Sequence, residues 1–212
     1  MPRQNRVTPA GDIVAVPERG ALTGNRGVLH DEAGQIVRPW QLTRWIACVT
    51  EFRGRWRPIM APGRWTELFF LDEATALAAG HRPCAHCRHA DYQRFRAAFA
   101  LAHGSEAPSA EAIDRQLHAD RLEGRRRKRT YRERLDELPD GAMVELAGGA
   151  YLVHGGALVY WTFAGYRDPL AQDGSTLLDV LTPRSTVATL RAGYVAELHP
   201  SLEGSAEADR GS

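Results

Sequence analysis

The chain has 212 residues, 43% of them hydrophobic and 25% charged, a composition that suits one large folded domain or two small ones and excludes an extended low-complexity chain. Its 27 basic and 26 acidic residues leave a net charge of +1, so a uniformly basic surface is excluded and any attraction to nucleic acid has to come from a local patch. There is no apolar run of the roughly eighteen residues that a membrane span needs, and the opening MPRQNRVTPAGD lacks the apolar core of a secretory leader; the expectation is a cytoplasmic protein without membrane contact, its oligomeric state left open.

Up to Asp31 the sequence is rich in Gly, Pro and Arg, with a short extended segment from Asp12 to Val16, and reads as loops with a strand or two. From Trp40 to Leu71 come two β-type runs, WIACVTEF and WTELFFL, separated by a Pro62-Gly63 turn and read as paired strands. Asp72 is suited to cap a short helix over Ala74 to Ala79 that Gly80 ends. Tyr92, Phe95 and Phe99 recur at helical spacing in a second helix, from Pro83 to His103, which puts the C-x-x-C of Cys84 and Cys87 at a helix start. Ser109 opens a third helix through Ile113 and Leu117, followed by the polar run GRRRKRTYRERLDE. Past Pro139, short apolar runs separated by Gly-Gly turns predict an antiparallel meander, then a strand, a cap at Ser185 and a short helix stopped at Gly193. The fold class is therefore α+β: a mixed metal-containing part over 1–105, a helical and basic connection over 106–138, a small antiparallel β-rich part over 139–200 and a disordered tail over 201–212.

Three cysteines cannot form the even disulfide framework of a small secreted domain, and in a reducing compartment the C-x-x-C spacing points to metal or redox chemistry. A redox pair would want a βαβ context, whereas the strands here come in hairpin-like order. Two thiolates at a helix start can both face one ion, which makes Cys84 and Cys87 the first two ligands of a Zn2+ site. Cys48, in WIACVTEF, is the leading third ligand, with a small buried apolar residue as its other reading; His30 follows.

FFLDEATALAAGHRPCAHC closely resembles the second half of the zinc module at the N-terminus of Ada-type DNA-repair methyl acceptors and of related nuclease-attached modules, over about Trp65 to Arg88. The resemblance implies that Cys84 and Cys87 supply the second ligand pair of a structural zinc. In that family a hairpin some thirty residues upstream supplies the first pair, one member of which accepts the methyl group. Arg53 to Arg57, at the corresponding distance, contain neither Cys nor His, so methyl-acceptor activity does not carry over.

Other residues carry competing readings. His30 and Glu32, with Pro83, Cys84 and Cys87, match in letters the H-x-E and P-C-x-x-C of zinc-dependent base deaminases, with Glu32 as proton carrier. His118 and Asp120 beside Arg121 are candidates for a phosphodiesterase or nuclease site. Arg125, Arg126, Arg127, Lys128 and Arg129 form the candidate nucleic-acid patch, DNA being favoured over RNA; Lys128 is the only lysine. Tyr160, Trp161, Phe163 and Tyr166 read either as stacking platforms or as core, and Leu181 to Ser185 as an anion-binding helix start or a plain cap. The combined expectation is a zinc-binding protein associated with nucleic acid, plausibly in DNA repair or processing, against a zinc enzyme or a zinc-stapled protein-interaction module.

Overall fold

A computed structural model describes residues 1–54 and 58–205. Two six-stranded sheets, with helices packed between and around them, make the α+β architecture. Among the described residues no helix is long and apolar enough to cross a membrane.

The first sheet contains β1 (Gln4–Val7), β2 (Ile13–Ala15), β3 (Leu22–Asn25), β4 (Ile46–Val49), β5 (Leu68–Phe70) and β6 (Arg82–Pro83), in the order β2-β1-β5-β3-β4-β6. The two β-type runs of the sequence are thus not paired with each other: β3 lies between β4 and β5, antiparallel to both. Its Gly24 explains both the fit and the difficulty of reading LTGN as a strand. A Cβ there would sit 2.3 Å from the Ile46 carbonyl oxygen, so only glycine allows the close approach. Strand β6 is short but decisive, because it runs parallel to β4 with Ala47 opposite Pro83 and thereby sets the register of the cysteines.

Asp72 caps α1 (Glu73–Ala78), accepting from the Thr75 amide at 2.9 Å, and Gly80 follows in the left-handed region. Helix α2 (His89–His103) buries Tyr92, Phe95, Ala98 and Phe99 and ends at left-handed Gly104; Ser109 caps α3 (Ala110–Arg121), which buries Ile113 and Leu117. The polar run after α3 is ordered into a small hairpin of β7 (Leu122–Glu123) and β8 (Arg127–Lys128), then β9 (Tyr131–Arg134).

The second sheet has the order β13-β12-β11-β10-β14-β9, with β10 (Met143–Leu146), β11 (Gly149–His154), β12 (Ala157–Thr162), β13 (Gly165–Leu170) and β14 (Leu177–Val180). Its β10 to β13 segment is the predicted antiparallel meander; β9 joins at the far edge through β14. The cap position of helix α4 (Arg184–Arg191) is Pro183 and not Ser185, which lies buried inside the first turn. A short helix, α5 (Ser201–Ser205), occupies the start of the expected disordered tail, whose remainder lies outside the described residues.

The largest apolar cluster joins Leu77, Phe95 and Phe99 to Ile113, Leu117 and Leu135, and these to Val144, Val153, Leu158, Val180, Val187 and Tyr194. One core therefore draws side chains from all three expected segments. A second cluster packs Leu71, Ala74 and Ala78 on Met143, Leu152, Val159, Trp161 and Tyr166, and a third lies beneath the first sheet.

Candidate metal centre

Parallel pairing of β4 and β6 carries one step past Ala47 and Pro83, where the Cys84 amide donates to the Ala47 carbonyl at 2.9 Å. That register brings Cys48, at the end of one strand, beside Cys84, just after the other. The chain then turns through Ala85 and His86, and Cys87 comes back toward the same point. Both residues of the C-x-x-C precede α2, whose first residue is His89, so the turn aims the thiols and neither lies on the helix. The Sγ atoms of Cys48, Cys84 and Cys87 lie within 4.8 Å of one another, a group that could hold a metal ion. A tetrahedral site with Zn–S bonds of about 2.3 Å needs sulfurs about 3.8 Å apart, so a small inward movement of each thiol suffices.

The three thiols hold their protons unequally. The Cys84 thiol is brought down to about 4, first by the hydrogen bond from Cys48 and further by the amides of Cys87 and His86. Its partner Cys48 is pushed up, because it is the one that keeps the shared proton. Burial raises Cys87, with the Val49 amide opposing.

Two buried arginines clamp the turn from either end. Arg82 makes a bidentate ion pair with Asp114, both contacts at 2.8 Å, and Arg88 pairs with Glu73 at 2.9 Å and with Asp91 at 2.8 Å. Glu73 also accepts from the Tyr194 hydroxyl at 2.7 Å and the Glu197 amide at 2.9 Å. Adjacent Asp72 accepts from the Tyr166 hydroxyl at 2.7 Å and the His199 amide at 3.1 Å. These carboxylates fasten the cysteine turn to the second sheet and the chain that follows α4. In the sequence Glu73 reads only as a first-turn acid of a helix, and Arg82, Arg88 and Asp114 carry no sign of their pairing.

The thiols open onto a cleft of about 710 Å³ walled by Val49, Phe52, Ile59, Trp65 and Phe69, with Glu67 and His86 among its polar residues. Glu67 is engaged, accepting from the Met60 amide at 2.7 Å, and His86 lies edge-on to Phe52 at 5.0 Å between ring centroids. Among the described residues neither joins the cysteine group.

His30 does not join it either. Its buried ring bonds Thr66 Oγ1 at 2.7 Å through Nδ1 and approaches the Ala61 carbonyl at 3.3 Å through Nε2. Glu32 is exposed on a turn closed by Asp31 and Gly34, so the His and Cys residues of the deaminase-like pattern are not assembled.

His118 and Asp120 serve different neighbours. The His118 ring meets Trp40 at 4.7 Å between centroids and Arg121 Nη2 at 2.9 Å, while the Asp120 carboxylate accepts from Gln116 at 3.1 Å and from the Ser185 amide at 3.2 Å. Asp120 thus occupies an amide at the start of α4 that could have met an external anion. Trp161 and Tyr166 are core residues, with Trp161 Nε1 donating to Thr75 at 3.0 Å. Tyr160 packs on Tyr151 and Phe163 on Trp161.

Arg125, Arg126, Arg127 and Arg129 are exposed on the β7–β8 hairpin and its flanks. Arg127 is paired with Glu123, and Lys128 turns inward to donate to the Ala78 carbonyl. Comparison of the chain with protein-family models, curated proteins and solved structures gave no match.

Proposed function

We propose that the chain is a zinc-binding protein associated with nucleic acid, DNA in preference to RNA, in which Cys48, Cys84 and Cys87 hold the ion. The observation that carries the reading is the convergence of three sulfurs, one from strand β4 and two from the turn that follows β6. Soft thiolates favour zinc over magnesium or calcium, and an ion tying β4 to the turn before α2 contributes folding energy to the first sheet. The resemblance of Trp65 to Arg88 to Ada-type modules supports a role in DNA repair or processing, and the exposed arginines near the β7–β8 hairpin supply groups that can meet phosphates.

A second reading, a zinc enzyme, is favoured by one feature: the group has three protein thiols and faces an apolar cleft, leaving a coordination position for water or substrate. Three thiolates on a divalent ion give a net charge of about −1, which weakens the ion as a Lewis acid and makes bound sulfur the better nucleophile.

Metal analysis with X-ray absorption on the purified protein and on Cys48→Ser and His30→Ala tests both. The expected result is one zinc with three sulfur neighbours and one lighter atom in the wild type and in His30→Ala, and one sulfur fewer in Cys48→Ser. Absence of stoichiometric metal would overturn the reading. Salt-dependent binding to duplex and single-stranded DNA tests the nucleic-acid half, and no binding at low salt would remove it.

A further inference from the structure

A second cavity, of about 330 Å³, is bounded by Gly11 and Asp12, by the segment from Ile36 to Trp40, and by residues of α3 and the β7–β8 hairpin. Five of the side chains on its wall are cationic, Arg26, Arg38, Arg121, Arg126 and Lys128, against the one carboxylate of Asp12. Arg26 and Arg121 are 2% and 0% exposed.

Their partners are neutral. Arg26 Nη1 donates to the Gly11 carbonyl at 3.0 Å, Arg121 Nη1 to that of Gly80 at 2.8 Å, and Lys128 to that of Ala78. Among the described residues none of the three forms an ion pair. Arg26 Nη2 and Arg121 Nε are buried without a hydrogen-bond partner. Both guanidiniums lie over the Trp45 ring, at 4.1 and 3.8 Å from its centroid, which holds each in place. Burying several like charges around the single carboxylate of Asp12 is costly, and a bound anion offsets it.

We propose that this cavity binds a phosphate monoester, that of a nucleotide or of a phosphorylated strand end, with the half-buried Trp40 ring beside the attached group. Guanidinium forks match phosphate oxygens in geometry and charge, and the volume suits a phosphate with one ring attached. Trp40 Nε1 donates to the Arg125 carbonyl at 2.8 Å, fixing the basic hairpin against this wall, so that Arg126 reaches the cavity while Arg125 and Arg129 stay at the surface. Burial, joined at Arg121 and Lys128 by the neighbouring guanidiniums, holds Arg26 and Arg121 down to about 9 and Lys128 to about 7. A dianion beside them reverses those shifts, so binding takes up protons at mildly alkaline pH.

The test uses the full-length, metal-loaded protein, titrated by calorimetry with inorganic phosphate, a nucleoside 5′-monophosphate, and one short single strand carrying either a 5′-phosphate or a 5′-hydroxyl. Saturable binding of the monophosphate, tighter than inorganic phosphate, is expected. A 5′-phosphorylated strand that binds more tightly than its 5′-hydroxyl counterpart identifies a strand end as the source; equal binding of the two beside a tight mononucleotide identifies the free nucleotide. Arg26 and Arg121 are too deeply built in for a clean substitution, so the variants are Lys128→Gln and Arg126→Ala. Each is expected to weaken monophosphate binding by about tenfold, as loss of one charge-assisted bond implies; Arg126→Ala, at an exposed position, keeps the melting temperature, while Lys128→Gln, which also loses the bond to the Ala78 carbonyl, is checked for native folding by circular dichroism. No saturable binding by the wild type, or wild-type affinity in both variants, would overturn the proposal. The site does not depend on the metal centre: a protein that lacks zinc yet binds the monophosphate would sink the zinc reading and leave this one standing.

Discussion

Replacing Asp114 by Asn isolates one clamp of the cysteine turn. The wild-type carboxylate, 5% exposed, takes Arg82 Nε and Nη2 at 2.8 Å each, and Arg82 itself is 2% exposed. Asn keeps the volume and one acceptor but leaves a guanidinium without its counter-charge. Removing one partner of a buried pair costs about 3–5 kcal/mol, and the surviving acceptor returns about 1 kcal/mol, which leaves a loss of about 3 kcal/mol. For a chain of this size that lowers the melting temperature by about 9 °C. Urea titration and calorimetry of the zinc-loaded protein read this directly. The double variant Arg82→Met with Asp114→Leu, which removes both charges, is expected to recover most of the loss. Arg82 is two residues before Cys84, so Asp114→Asn should also speed zinc release to a chelator. A loss below about 0.5 kcal/mol, or a double variant no better than the single one, would refute the argument that charge compensation fixes this turn.

Other perturbations probe other parts. Tyr166→Phe removes the hydroxyl that donates to buried Asp72 and should cost about 1–2 kcal/mol in urea titration, with the β12–β13 hairpin still folded by circular dichroism. His81 is fully buried, and burial followed by Arg26 and Arg121 pushes it well below its usual 6.5. Its contribution is present above pH 6.5 and is lost as pH falls, because only the unfolded chain takes the proton there; a stability profile flat down to pH 5 would contradict it. Lys128, lowered from 10.5 to about 7 first by burial and then by Arg26 and Arg121, with Asp12 opposing, makes the folded state gain stability as pH rises from 7 to 10.5, since the unfolded chain binds more protons across that window. Lys128→Gln should flatten this rise. Arg125→Ala and Arg129→Ala, both at exposed positions, should leave thermal stability unchanged and each reduce the salt slope of DNA binding by about 0.9 if those side chains contact phosphate.

Local chemistry made much of the fold readable. Asp72, Gly80, Gly104 and Ser109 announce helix ends because capping is a matter of a few adjacent residues. The Gly-Gly turns likewise announced the meander. Pairing across distance was not readable: that β3 separates β4 from β5 depends on Gly24 fitting against Ile46, a contact between residues far apart in the chain. Cys48 was within reach of sequence reasoning because few soft ligands were available, whereas His30 is held by Thr66 and Ala61, neither of which its neighbours in the chain reveal. The basic run looked uniform in sequence, yet Lys128 points inward while the adjacent arginines face solvent. That division follows from the two-residue strands of a hairpin too short to see as a pattern.

Glu73 meets Tyr194 and the Glu197 amide, and Asp72 meets Tyr166 and the His199 amide, across sequence separations of 94 to 127 residues. During synthesis the cysteine turn therefore leaves the ribosome long before the groups that lock it in place exist. Asp72 waits for Tyr166 and the His199 amide, Glu73 for Tyr194 and the Glu197 amide, and the face of α2 for the sheet that ends at Val180. Docking of the cysteine turn therefore waits for residues 194–199, and a fragment ending at residue 105 would expose Phe95 and Phe99, which the folded chain buries.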